Sequence, residues 1–338
     1  MKKCIVILFN LILLIGFIAC SDEPEKANNN SNTEKGEKSI ENEFVTSAEK
    51  EDSSDLSSQK NVSSISPTVA VNNKEEGNNE ETALELEPFI EKLSPRPFAV
   101  NFNQYGEMFI VCAPPSGNGI LYQVSTLGEL KEICEVKGTF IGPGMAFDQN
   151  NDIYIPTGTE LKKYKVDGTY EVVASGFKNA WDVTVDIKNN IYISDEMQEA
   201  VYRITPSGDN EVIIEPDKKT GMRFLQGGIE YNPVDDCLYL VYNSSIYKYT
   251  LSSENIMQSQ ELIYQSSGIR FIAINEDGKL YVDQEDSVVV IEPDTKTAQI
   301  YKSNGNKNFV GLNFGIGEFN EKTLYIATAN SICKYSSK

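Results

Sequence analysis

The chain has 338 residues, 50 Asp and Glu against 30 Lys and Arg, a formal net charge of −20 and no histidine. The acidic balance, about half of it in the N-terminal tail, argues against nucleic acid as a partner, because a phosphate backbone needs Lys and Arg to displace its counterions. The lack of histidine excludes Ser-His-Asp and Cys-His nucleophile pairs, His-ligated zinc and a histidine general base. Any catalysis is left to carboxylates, Lys, Tyr or a hard cation held by oxygen ligands.

Residues 1–20 read as an export signal: Lys2 and Lys3, an apolar run broken by Asn10, then Ala19-Cys20. The run is short for a membrane span. Ile18-Ala19-Cys20 resembles the lipobox of bacterial lipoproteins, in which the signal is cleaved before a cysteine that then receives lipid; Phe17 stands where that family usually has Leu. The alternative is an ordinary signal peptide with an incidental Cys20. Diacylation of Cys20 implies stable anchoring to a membrane and a place in the cell envelope. Ser21-Asp22-Glu23 resembles the sorting and surface-export signals of outer-membrane lipoproteins in some Gram-negative groups. Residues 21–84 are rich in Ser, Asn, Glu and Lys and poor in large apolar residues. Such a stretch buries too little surface to offset folding entropy, so a disordered acidic tether is expected.

From about residue 85 one phrase recurs. Met145-Ala-Phe-Asp148 followed by Asp152-Ile-Tyr-Ile155 returns as Val183-Thr-Val-Asp186 followed by Asn190-Ile-Tyr-Ile193. Each copy is an alternating apolar strand, a polar turn and a second strand ending in an apolar-aromatic-apolar triplet. Further copies begin near Phe98, Gly228, Phe271 and Leu312. A period of roughly 38 to 46 residues is that of propeller blades. Four antiparallel strands per blade are expected at 98–103, 107–112, 119–124 and 130–136 in blade one. They are expected at 144–149, 152–157, 159–166 and 169–174 in blade two, and at 182–187, 190–195, 200–205 and 210–215 in blade three. Blade four takes 228–232, 236–242, 245–250 and 259–265; blade five takes 270–275, 278–283, 287–292 and 297–302. Asp167-Gly168 is a strong hairpin signal between the last two strands of blade two. Blade six has 323–328 and 331–336 and then the sequence ends. Its missing outer strand has a candidate in residues about 87–93, which would pair with the C-terminal strand and close the ring, removing two exposed edges. The fold class is thus all-β, a six-bladed propeller over 85–338.

Cys112, Cys134, Cys237 and Cys333 are expected as small buried hydrophobes, not a disulfide framework. Asp148-x-Asn150-x-Asp152 matches the start of a calcium loop, but without its glycine and distant Glu it is expected as a hairpin turn. Gly315-x-Gly317 is expected as a β-bulge.

Ligands of propellers usually meet the end of the channel where the innermost strands begin. The residues expected there are Pro143-Gly144, Trp181-Asp182, Gly228 and Arg270, with Asn179, Arg223, Asp195, Glu196 and Asp283 on neighbouring loops. Asp182 stands where blades two and four have glycine. A carboxylate at a channel mouth is partly desolvated, so its pKa rises or it recruits a cation. Trp181, the only tryptophan, would supply an aromatic wall, and Arg223 and Arg270 positive charge. The bland reading makes Asp182 a turn cap neutralised by Arg270. Glu230 lies within an innermost strand where other blades have Ala, Thr or Asn, so it needs a partner or a wet channel.

Pro143-Gly-Met-Ala-Phe-Asp148 with Ile153-Tyr-Ile155, and Asp182-Val-Thr-Val-Asp186 with Ile191-Tyr-Ile-Ser-Asp195, resemble NHL repeats and the related blades of the gluconolactonase and senescence-marker-protein family. The likeness implies a six-bladed propeller across about 95–337. The lactonase branch implies a divalent cation, commonly calcium, held in the channel by Glu, Asn and Asp. The nearest positions here are Asp182 and Asn179, with Glu230 as a more distant carboxylate and Asn313 if blade six is slipped. Pro95-Arg-Pro97 stands where that branch supplies its Glu.

Three functions follow as alternatives: a lipid-anchored, monomeric binding propeller gripping a small molecule, glycan or protein at the channel face; a divalent-metal-dependent lactonase-type hydrolase with Asp182 as ligand or base; or a docking platform in an envelope complex.

Overall fold

The computed structural model describes residues 82–215, 227–252, 257–303 and 308–336. The chain divides into two units, and all of these residues lie in the second, Val71–Lys338. The expected export signal, the lipidation site Cys20 and nearly all of the tether fall outside the described residues.

Two short strands come first, β1 (Thr82–Leu84) and β2 (Glu87–Ile90). Blade one follows as β3 (Pro97–Phe102), β4 (Met108–Cys112), β5 (Gly119–Val124) and β6 (Leu130–Val136). Blade two is β7 (Ala146–Phe147), β8 (Ile153–Pro156), β9 (Gly158–Tyr164) and the first half of β10 (Tyr170–Val185). The second half of β10 is the innermost strand of blade three, continued by β11 (Ile191–Asp195), β12 (Ala200–Ile204) and β13 (Asn210–Ile214). Blade four is β14 (Ile229–Asn232), β15 (Cys237–Tyr242), β16 (Ser245–Leu251) and β17 (Met257–Gln265). Blade five is β18 (Ile269–Ile274), β19 (Leu280–Gln284), β20 (Ser287–Glu292) and β21 (Thr297–Ser303). Blade six is β22 (Gly311–Phe314), β23 (Thr323–Ala327) and β24 (Ile332–Ser336). Its outer strand is β2, antiparallel to β24 with Glu87 opposite Lys334 and Ile90 opposite Ile332. The fold is the six-bladed propeller expected, closed by the N-terminal strand.

Alternation along each strand sends neighbouring side chains to opposite faces, so each blade packs against both of its neighbours. The buried residues accordingly fall into six clusters, one at each junction between consecutive blades. The junction that closes the ring is as full as the others: Val100, Phe102 and Met108 of blade one meet Phe319, Tyr325 and Ile332 of blade six, with Ile90 and Leu93. Second strands such as β4, β11 and β15 are buried along their whole length because both faces are covered.

The hairpin between the first two strands is built by one device in blades one, two, three and five. Asn103, Asp148, Asp186 and Asn275 each accept, through one side-chain oxygen, the N–H groups two and four residues on. Asn151 and Asn189 take φ of 61° and 62° at the tips, where Asn is tolerated. The Asp148 stretch is therefore a hairpin turn, its oxygen committed to Asn150 and Asp152 N–H at 2.8 and 3.0 Å.

The structure departs from the expected elements in three places. β10 runs without a break from blade two into blade three, because Ser175 pairs with Glu160 and Ala180 with both Gly158 and Asp195. β1 was not foreseen: it pairs parallel with β21, Thr82 opposite Tyr301, and buries Leu84 between blades five and six. No bulge forms at Gly315; β22 ends at Phe314 and a 3-10 turn follows at Gly317–Phe319. A side chain at Gly315 would place its Cβ 2.3 Å from the Phe319 carbonyl oxygen, which explains the glycine.

Candidate functional site

On the face where the innermost strands begin, most expected site residues are committed to structure. Asp195 is fully buried and accepts the N–H groups of Lys178, Asn179, Met197 and Gln198 at 2.7–3.1 Å, tying the two loops together. Asn179 donates its side-chain amide to Glu196 at 2.7 Å. Arg270 pairs with fully buried Asp283 through Nε and Nη2 at 3.0 and 2.9 Å, and Asp283 also accepts the Arg270 and Phe271 N–H groups. Burial raises the Asp283 pKa to about 6 against the pull of that guanidinium. Trp181 stacks on Phe140 with ring centroids 5.6 Å apart, and Phe140 meets Phe98 edge-on. The buried Trp181 Nε1 has no hydrogen-bond partner. Arg223 lies outside the described residues.

The channel itself holds Asp182 and Glu230. Asp182 Oδ1 accepts from Val183 N at 2.8 Å, and Oδ2 reaches across to blade four to accept from Ile229 N at 3.0 Å. Its own N–H donates to Ser194 Oγ. A Cβ at Gly144 would sit 2.1 Å from Asp182 Oδ1 and 2.6 Å from its Cα, so the glycine in blade two is what lets Asp182 occupy the channel. Burial pushes the Asp182 carboxyl up to about 7, with the two backbone N–H groups pulling the other way. Glu230 is raised well above the carboxylate range, first by burial and then by the charge of Asp182, with the Thr184 hydroxyl opposing at 3.4 Å.

Glu230 belongs to a ring of equivalent positions. Asn101, Ala146, Thr184, Glu230, Ala273 and Asn313 each sit opposite an aromatic residue on the second strand: Phe109, Tyr154, Tyr192, Tyr239, Tyr281 and Tyr325. Asn101 donates to the Met145 carbonyl, and Thr184 Oγ1 accepts from Tyr231 N, which laces adjacent blades across the channel. Sequence reasoning singled out Glu230 from this register but passed over Asn101 and Thr184. The signal was present, since both stand two residues before the turn-forming Asn103 and Asp186.

Around these residues the channel narrows to a cavity of about 30 Å³ lined by the innermost strands of five blades and by Pro143–Met145 ahead of β7, room for one or two water molecules. Toward the opposite face, where the hairpin turns lie, it opens into a mouth of about 440 Å³. Asn101, Val183 and Glu230 line both spaces. A larger groove of about 690 Å³ runs between blades five and six, away from the channel carboxyls, and its Lys279 and Glu292 already pair at 2.7 Å.

A divalent cation held by Asp182, Asn179 and Glu230 does not fit this geometry. Asn179 is drawn to Glu196 through its amide nitrogen, each Asp182 oxygen already accepts one backbone N–H, and no cluster of three His, Cys, Asp or Glu side chains suited to a metal occurs among the described residues. Burial raises the Cys112 and Cys134 thiols to about 12 and 11; the four described cysteines are unbridged, with Cys112, Cys237 and Cys333 buried and Cys134 half-buried.

No protein-family profile and no curated protein matches this sequence. Solved structures do match in fold. A gluconolactonase from Xanthomonas campestris aligns with a TM-score of 0.62 at 12% identity, covering 75% of this chain and 89% of that one. A catalytically inactive His-to-Ala variant of virginiamycin B lyase from Staphylococcus aureus, with quinupristin, aligns at 0.52 and 16%, covering 75% and 100%. The nidogen/laminin complex aligns at 0.52 and 13%, covering 65% and 84%. The chain is thus a β-propeller similar in architecture to gluconolactonases, virginiamycin B lyase and the nidogen propeller, a fold that serves both enzymes and binding modules.

Proposed function

We propose that this chain is a binding propeller, anchored in the cell envelope through lipid on Cys20, that takes a small ligand in its channel from the hairpin face. The observation that carries the reading is the shape of the channel: a pinch of about 30 Å³ at the strand-start end and an open mouth of about 440 Å³ at the other, with Glu230 between them. The lyase among the structural neighbours is inactive when one histidine becomes alanine, and this chain has no histidine. A lactonase-type reaction would need a convergent set of oxygen ligands, and Asp182 stands without one.

The test is a thermal-shift screen of the full chain against small sugars, amino acids, amines and lactones, repeated with Gln149→Trp. Gln149 is an exposed rim residue of the mouth, so the bulkier side chain narrows the opening without touching a core cluster. Hits that Gln149→Trp abolishes support the reading. Hits indifferent to it place binding elsewhere, and turnover of a lactone lost in Asp182→Asn would favour the hydrolase instead. Anchoring is tested separately: Cys20→Ser should move the protein from the membrane to the soluble fraction.

One observation favours the docking reading as a second function of the same face. Tyr105, Ile187 and Val234, at the hairpin tips of blades one, three and four, are 73%, 59% and 60% exposed. Exposed apolar side chains gathered on one face mark interaction surfaces. Changing all three to Ser should shrink the complex extracted from membranes to the size of the single chain; an unchanged size removes this reading.

A further inference from the structure

The two channel carboxyls differ in how far their oxygens find donors. Asp182 is satisfied by two backbone N–H groups, whereas Glu230 has one long contact to the Thr184 hydroxyl at 3.4 Å. No Lys or Arg among the described residues pairs with either; the nearest basic candidate of the strand-start face, Arg270, is spent on Asp283. Burial disfavours the ionised form of a carboxyl that has no countercharge, so a ligand that brings a cation gains its own contact while stabilising that ionised form as it binds.

The surroundings say what kind of cation. A bare hard metal ion asks for six or more oxygen ligands, and the described residues offer no cluster of that sort. The mouth instead has apolar and aromatic walls from Phe102, Phe147, Val185 and Tyr231, polar amides of Gln104 and Asn189 at its rim, and Glu230 at its inner end. Aromatic walls and a terminal carboxylate suit a weakly hydrated organic cation, through charge-assisted hydrogen bonding at the head and apolar contact along the stem. The chain's net charge of −20 would also draw cations toward it.

We propose that the hairpin-face mouth binds an organic cation, an ammonium or guanidinium group on a short apolar stem, with its charged head against Glu230 and its stem along Phe147 and Tyr231. The proposal rests on the reading of the channel as a ligand site and specifies the ligand's chemistry.

The experiment is calorimetric titration of the full chain at pH 8 with pentylamine, agmatine, 1-pentanol and calcium chloride. Pentylamine or agmatine should bind with one site per chain, at least tenfold tighter than 1-pentanol. Glu230→Gln keeps the size of the side chain and its contact with Thr184 but removes the charge. It should weaken the cation at least tenfold and leave 1-pentanol unchanged. Equal binding of amine and alcohol, or full amine affinity in Glu230→Gln, overturns the cation while leaving the mouth a ligand site. Binding of calcium that excludes both amines overturns it in favour of an inorganic ion. Silence from every probe overturns it as well, and the ligand-site reading falls with it only if the wider thermal-shift screen is also silent. The amine-to-alcohol comparison needs no variant, so a folding defect in Glu230→Gln does not blunt the test.

Discussion

The most direct consequence of the channel's electrostatics is a pH-dependent stability in a window where this protein has little else to titrate. With no histidine in the chain, side chains of ordinary pKa leave pH 5 to 8 almost empty. Asp182 is raised from an ordinary 3.8 to about 7 by burial. A carboxyl whose folded pKa is raised favours the folded state while protonated: its contribution is complete below the unfolded pKa and is lost as pH rises through the folded one. Linkage over that pair of values gives a loss of roughly 2–3 kcal/mol between pH 5 and pH 8, within a total of about 4 kcal/mol. Glu230 and Asp283, also raised, act in the same direction. The perturbation is Asp182→Asn, which removes the titration. It also turns an amide donor toward the Ile229 N–H that Oδ2 accepts from, at a pH-independent cost of roughly 1–2 kcal/mol. Urea unfolding at pH 5, 6, 7 and 8, followed by circular dichroism and by the fluorescence of Trp181, measures both proteins. Wild-type stability should fall with pH, and the variant's curve should be flatter by about 2–3 kcal/mol across the window. A wild-type curve that is level from pH 5 to 8, or a slope that Asp182→Asn leaves intact, would show that water solvates this carboxylate fully and would refute the account of the channel.

Arg270→Met should destabilise by about 3–5 kcal/mol in urea unfolding, because it strands the buried Asp283 carboxylate; a loss under 1 kcal/mol would mean that the two backbone N–H groups suffice. Deleting residues 85–94 removes β2 and Leu93 from the closing junction and should abolish cooperative unfolding. Deleting 21–80 should leave the midpoint unchanged, and the two deletions together test ring closure by circular dichroism melts. Gly144→Ala forces a Cβ against the Asp182 backbone, where neither strand can retreat without breaking the Ile229 contact. A fall of several degrees in melting temperature is expected, and an unchanged melt would show that the two blades slide apart freely.

The expected six-bladed architecture was legible because a propeller repeats its local chemistry. The alternating strand, the Asx-built turn and the aromatic triplet recur in sequence, and each copy forms with neighbours already close in the chain. Ring closure was legible for the same reason, since blade six lacked an outer strand and residues 87–93 had one to give. The site was legible only in part. Asp182 and Glu230 were chosen as polar residues at channel positions and the structure brings them together, whereas Asn179 and Arg270 were chosen by the same rule and are held elsewhere by Glu196 and Asp283. The sequence cannot show which carboxylate meets which partner, because those partners sit on a different strand or loop.

What the sequence by itself determined is the part governed by short-range periodicity: strands, turns, blade number and the exclusion of histidine chemistry. What only the tertiary structure decided is how wide the channel is and toward which face it opens. Those follow from contacts between residues about 40 to 50 positions apart, such as the Asp182 carboxylate with Ile229 N–H and a glycine at 144 that leaves room for it. Such contacts depend on how tightly consecutive blades press together, and that is set by side-chain volumes summed around the closed ring, not by any one repeat.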